Sequence, residues 1–272
     1  MNILSHIRIL AFAVAAFGIS ESECVAEGTP PTLWLIGDST VNNGSGKGAD
    51  GLWGWGAPLA AHFDKAKIAV VNRARGGRSS RTFLSEGLWE KVAAELKPGD
   101  FVLMQFGHND GGPLAGPKAR ASLKGNGEES QEVAIEGGDK KEVVHSYGWY
   151  LRKYIADAKA KGATPIVLSP IPRNMWKADK VSRASGDYGK WAKEAAEAGG
   201  ALFIDLNEIV ARHYEADGRE KVQTEFFTEK DHTHTTAAGA KVNASSVAEG
   251  IKALKDCPLA GLLAPMPVDW TP

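Results

Sequence analysis

The chain has 272 residues, 43% of them hydrophobic, enough to bury one sizeable core. Its 32 basic and 33 acidic residues leave a formal charge of -1. That balance argues against nucleic acid or an anionic membrane surface as a partner.

The opening segment, residues 1–26, carries Arg8 near its start, an apolar run from Ile9 to Ile19, and small residues near Ser20 and Ala26 suited to cleavage. This is the pattern of a signal peptide. The run is too short to span a bilayer, which takes about 20 apolar residues, so no membrane association is expected after cleavage. The sequence thus predicts a leader over 1–26, one catalytic domain over 27–272, and a secreted or periplasmic location. Cys24 lies in or beside the leader and lacks the small apolar approach of a lipoprotein cysteine. Cleavage after Ala26 leaves only Cys257, which has no internal partner and is read as structural.

Beyond the leader, short apolar runs alternate with longer amphipathic segments. Strands are predicted over Thr32–Ile36, Ile68–Asn72, Phe101–Gln105, Pro165–Ser169 and Leu202–Asp205. Helices are predicted over Gly56–Asp64, Leu88–Leu96, Val143–Lys161, Tyr188–Ala198, Leu206–Tyr214 and Thr236–Leu254; in the third, Tyr147, Leu151, Tyr154, Ile155 and Ala158 recur at helical spacing. The alternation is that of an α/β protein, a parallel sheet covered on both faces. The stretch from Gly111 to about Lys141, rich in Gly, Lys and Glu, far exceeds the usual connection of about 2 to 6 residues and reads as an irregular insertion that walls the site or lies solvated. The tail after Leu254, with four prolines, reads as a surface wrap.

In an open parallel sheet, ligands bind beyond the carboxyl ends of the strands. Strand one leads into Gly37-Asp38-Ser39-Thr40, strand two into Arg75-Gly76-Gly77-Arg78-Ser79, strand three into Gly107-His108-Asn109-Asp110, and the strand ending at Asp205 runs on toward Asp231-His232-Thr233-His234. Ser39, at a strand-to-turn junction after Gly37, is placed as a nucleophile would be, although alone the tripeptide reads first as a helix cap. Of the seven histidines, His6 lies in the leader, and His62, His145 and His213 are isolated residues in or beside helices. Asp231 precedes His234 by three residues, a spacing that brings a carboxylate to the imidazole Nδ1–H while Nε2 faces outward.

The same segment is also readable as a cap on the final helix or as a metal site; no second ligand cluster accompanies it, so no metal is expected. Acyl transfer also needs donors for an oxyanion, and the Ser39 N–H, the Gly77 N–H and the Asn109 amide are the candidates. Singly, Gly77 is equally a turn glycine and Asn109 a loop-stabilising amide. Their coincidence at strand ends is what points to a hydrolase.

In order, Gly37-Asp38-Ser39, Gly77, Gly107-His108-Asn109-Asp110 and Asp231-His232-Thr233-His234 resemble the sequence blocks of the SGNH/GDSL hydrolases. With Thr40-Val41, Gly54-Trp55-Gly56, Arg78-Ser79 and Phe106 to Gly112 added, the chain from about Thr32 to Leu254 is similar to rhamnogalacturonan acetylesterases. Pro113 to Lys141 departs from that pattern. The resemblance implies a three-layer α/β/α fold, flavodoxin-like, with five parallel strands. It further implies Ser39 as nucleophile, His234 as base oriented by Asp231, an oxyanion hole of Ser39, Gly77 and Asn109, and removal of O-acetyl groups from an acetylated polysaccharide without a cofactor.

For substrate binding, Trp53 and Trp55 offer aromatic faces to sugars, and Arg78, Arg81, Lys118, Arg120 and Lys124 offer cations to uronates. His108, beside Asn109, is a further candidate, and with Asp110 it is expected to brace its loop. Rival readings are an esterase of acetylated xylan or of a small or lipid ester, and a non-catalytic carbohydrate-binding protein. A nucleotide-binding protein is disfavoured because both phosphate-loop spacings are missing. Asn243-Ala244-Ser245 is a formal glycosylation sequon within a predicted helix.

Overall fold

The computed structural model describes residues 29–135, 140–184 and 187–272. The leader expected over 1–26 lies outside the described residues. Five strands, β1 (Thr32–Gly37), β2 (Ala69–Asn72), β3 (Phe101–Gln105), β4 (Thr164–Leu168) and β5 (Leu202–Ile204), form one sheet in the order β5-β4-β3-β1-β2. Every pairing in it is parallel. This is the doubly wound order expected of a flavodoxin-like fold, with its switch point between β1 and β3.

The apolar runs are near-continuous because both faces of the sheet are covered. Leu33, Leu35, Leu103, Ile166 and Leu168 point to one side, against the helices Leu206–Asp217 and Ala237–Ala253. Trp34, Ile36, Val102, Met104 and Val167 point to the other, against Leu88–Glu95, Tyr147–Ala160 and Tyr188–Gly199. Buried Asp100 fixes the register at the sheet's amino end, accepting from the Thr32 amide at 2.8 Å and the Trp34 indole at 3.0 Å.

Three local expectations change. The predicted Gly56–Asp64 helix is a single α-turn, Gly56–Leu59, followed by a 3₁₀ turn, Ala60–His62. The helix predicted from Val143 starts at Tyr147, because Ser146 caps it by accepting from the Trp149 amide at 3.1 Å. Val143 and Val144 instead lie in an extended segment, Lys141–His145, paired antiparallel with Ser130–Ala134. The insertion is therefore not wholly irregular, since it contains this hairpin. A helix absent from the expectation, Ser80–Ser85, follows β2; Ser79 and Thr82 close its first turn as a reciprocal capping box.

Candidate active site

β1 ends in Gly37, and the backbone then makes one tight turn in which Val41 and Asn42 donate to the Asp38 carbonyl at 3.2 and 3.0 Å. A Cβ on Gly37 would lie 2.4 Å from the Gln105 carbonyl oxygen of β3, so only glycine lets the turn begin this close to the sheet. Beneath the turn, buried Asp38 accepts the Thr40 amide at 2.8 Å and its hydroxyl at 2.7 Å, and Gln105 donates to the Thr40 Oγ1 at 2.6 Å. Ser39 is left standing on a hydrogen-bonded floor.

The segment after the turn links nucleophile and base. Trp55 and Gly56 donate to the Thr40 and Val41 carbonyls, each at 2.9 Å. Two residues earlier, Leu52–Trp53 pairs antiparallel with Thr235–Thr236, directly after His234. Thr236 caps the Ala237–Ala253 helix. His234 is thus held by a strand pairing and a helix start rather than by a free loop.

The geometry is that of a proton relay. Ser39 Oγ lies 2.7 Å from His234 Nε2, and His234 Nδ1 lies 2.7 Å from Asp231 Oδ2. Asp231 Oδ1 accepts the Thr233 and His234 amides at 2.7 and 2.9 Å. Burial pushes the Asp231 carboxyl upward, but these amides and the His234 imidazole outweigh it and hold it below the ordinary carboxylate range. An ionised Asp231 keeps the proton on Nδ1 and leaves Nε2 as the acceptor facing Ser39.

Gly77 adopts a left-handed backbone (φ +78°), and neither its amide nor that of Ser39 is taken by another group among the described residues. Asn109 is buried and donates one amide hydrogen to the Arg78 carbonyl at 3.0 Å, which sets it beside Gly77 and leaves its second hydrogen for a ligand. Asp110 ties the same two loops together. It accepts from the Ser80 amide at 3.1 Å, from the Ser80 hydroxyl, and from Ser122 at 3.0 Å. Burial raises the Asp110 carboxyl to about 7 in spite of these donors.

Ser39, Gly77, Asn109, Asp231 and His234 all line one cavity of about 530 Å³. Three cations share it: Arg120, which donates to the Gly77 carbonyl at 3.2 Å, Arg173 and Lys230. None of its lining residues is aliphatic. His108 lines the same wall, and burial pushes its imidazole below its ordinary pKa against the pull of Asp38.

Of the expected sugar contacts, Trp53, Trp55, Arg78, Arg81, Lys118 and Lys124 do not line this cavity. Trp55 is fully buried and donates to Gln105 Oε1 at 3.0 Å, so it is core beneath the nucleophile turn. Arg78 lines an adjoining hollow, which shares Gly77 and Arg120 with the catalytic cavity, and is engaged by Glu86 at 2.8 Å and by the Gly76 carbonyl. Arg81 is also buried, bound to Glu142 and to the Leu114 and Ala121 carbonyls. The part of the insertion that walls the site is its beginning, which supplies Arg120; the later hairpin is held elsewhere by Arg81. Arg173 and Lys230 were not among the expected contacts. Arg173 follows the carboxyl end of β4, where the strand-end rule applies as well as at the other strands, and Lys230 adjoins Asp231.

Residues 35–242 match the model of the GDSL-like lipase/acylhydrolase family. A rhamnogalacturonan acetylesterase of Emericella nidulans is 32% identical over 220 residues, covering 81% of this chain and 84% of that protein. A probable rhamnogalacturonan acetylesterase of Bacillus subtilis, YesY, is 34% identical over 225 residues, covering 82% and 93%. Among solved structures, the YxiM protein of Bacillus subtilis superposes with a TM-score of 0.66 at 27% identity over 82% of this chain, which spans 56% of that structure. The acetylxylan esterase Axe2 of Geobacillus stearothermophilus shares the fold, with a TM-score of 0.53 and 22% identity over 84% of this chain and 96% of that one.

Proposed function

From the premise that this chain belongs to the GDSL-like lipase/acylhydrolase family, we propose that it is a serine acetylesterase that removes O-acetyl groups from a rhamnogalacturonan-type pectic polysaccharide. The observation that carries the reading is the Ser39–His234–Asp231 relay opening onto a cavity that also holds Gly77 and Asn109.

In this mechanism Ser39 Oγ attacks the acetyl carbonyl while His234 Nε2 takes its proton. The negative oxygen of the tetrahedral intermediate accepts from the Ser39 and Gly77 amides and the free Asn109 hydrogen, each donor lowering the barrier by roughly 3 to 4 kcal/mol. His234 then returns the proton to the sugar oxygen, which leaves as a hydroxyl. Water, deprotonated by the same imidazole, clears the acetyl group from Ser39 as acetate. The chemistry asks for no group beyond these side chains and amides.

The lining supports a carbohydrate over a lipid ester, because it places Arg120, Arg173, Lys230 and three histidines around Ser39 and offers an acyl chain no aliphatic side chain to lie against. Two similar esterases, one of them named as probable, act by their names on rhamnogalacturonan. The reading also includes export, residues 1–26 serving as leader to one catalytic domain over 27–272, on the strength of Arg8 and the apolar run after it. Mass spectrometry of the mature amino terminus checks that part.

The activity is tested by acetate release from acetylated rhamnogalacturonan, homogalacturonan and xylan, with Ser39→Ala alongside. Release from rhamnogalacturonan that falls at least about a thousandfold in the variant is expected. Release from xylan alone would refute the substrate, and wild-type rates in Ser39→Ala would refute the nucleophile.

A further inference from the structure

Arg173 stands where two cavities meet. One is the catalytic cavity, and the other, of about 510 Å³, is walled by Pro170, Ile171, Pro172 and Tyr188; Arg173 and His108 line both. Each volume is in the range that holds a small organic ligand or a sugar unit. A polysaccharide chain seated with one acetyl group at Ser39 has to continue past that sugar, and the second cavity opens beside it. Its proline, isoleucine and tyrosine walls give a sugar ring apolar faces to pack on.

The charge of Arg173 is uncommitted. Arg78, Arg81 and Arg183 each hold a carboxylate. Among the described residues no carboxylate pairs with Arg173, whose one hydrogen bond is a long contact of 3.5 Å from Nη2 to the His108 carbonyl. A guanidinium with its planar fork open presents two parallel N–H donors, the geometry that fits a carboxylate. Within the second cavity Asp187 repels an anion and Arg183 is already occupied by Glu208 and Glu215, so the favourable place for a carboxylate is the shared rim at Arg173. Arg120 and Lys230 add their field from the catalytic side.

We propose that Arg173 is a specificity-determining residue that grips a uronate carboxylate of the acetylated polysaccharide, with the adjoining cavity holding the stretch of chain that runs on past Ser39. This rests on the reading of the protein as a deacetylase of an acidic polysaccharide. It adds a position at which the acid group of the polymer, rather than its ester, is read.

The test compares kcat/KM for acetate release from an acetylated rhamnogalacturonan oligosaccharide and from the same oligosaccharide with its carboxyl groups reduced to alcohols. Wild type favours the uronate form. Arg173→Ala is expected to lower that preference about tenfold, chiefly through KM, as loss of a charge-assisted bidentate contact does. Arg173→Lys, which keeps charge without the fork, retains part of it, and Arg173→Glu turns the preference toward the reduced oligosaccharide. An unaltered preference in both Arg173→Ala and Arg173→Glu overturns this inference and leaves the deacetylase reading standing. No acetate from either oligosaccharide with wild type overturns both.

Discussion

Gly54 lies against Val41 so closely that a Cβ on it would sit 2.3 Å from the Val41 carbonyl carbon and 2.4 Å from its oxygen. Val41 belongs to the turn that carries Ser39, and Gly54 to the segment that pairs with the strand after His234. Gly54→Ala has backbone, not a flexible side chain, in its way. It is expected to cost about 1 to 3 kcal/mol of stability, as overpacking does, and to lower kcat by displacing Ser39 from the imidazole. Urea denaturation and acetate-release kinetics on the same variant check both effects; an unchanged kcat would mean that the turn is not held by this contact.

Asp231→Asn keeps the oxygen that accepts the Thr233 and His234 amides but puts an NH₂ opposite His234 Nδ1. Nδ1 then has to accept, the proton moves to Nε2, and the ring can no longer take a proton from Ser39. A fall in kcat of about 10³- to 10⁴-fold is expected with little change in melting temperature. Turnover with a small acetyl ester and a thermal melt separate the two.

Asp110 gives the protein a stability that depends on pH. Its folded pKa, about 7, is above the ordinary carboxylate value, so between the two the folded state binds a proton that the unfolded state has released. This contribution is fully present below the unfolded pKa and is lost as pH rises through about 7, at up to about 1.4 kcal/mol per pH unit. Asp110→Asn, which keeps an oxygen for the Ser80 amide while the Ser80 and Ser122 hydroxyls rotate to suit, removes the titration. The difference in unfolding free energy between wild type and variant, followed from pH 4 to 8 (roughly the span of the two pKa values), should shift steadily in favour of Asn; a flat difference would place Asp110 in its ionised form throughout.

How far such a site can be read from sequence depends on whether the deciding interactions are local. Asp231 and His234 are three residues apart, and Ser39, Gly77 and Asn109 each follow an apolar strand, so their roles are set by short-range geometry visible in the chain. Trp55 and Arg81 look like surface residues beside the nucleophile and oxyanion loops. What removes them is burial against Gln105 and Glu142, partners 50 and 61 residues away, which no local pattern reports. The Val143–His145 stretch failed for the same reason, its fate being set by pairing with Ser130–Ala134. Arg173 was within reach, because β4 was recognised as a strand and Pro170-Ile171-Pro172-Arg173 follows its carboxyl end.

Ser39 and His234 are separated by 195 positions, and the strand and helix that fix His234 follow it directly. During synthesis the nucleophile therefore emerges well before its base and stays inert until the segment carrying His234 is out, since domains fold as units once enough chain is out. Hydrolytic competence arrives as a switch when the strand and helix around His234 dock. A truncation before His234 yields a serine without its base, and so a product that lacks the proton relay.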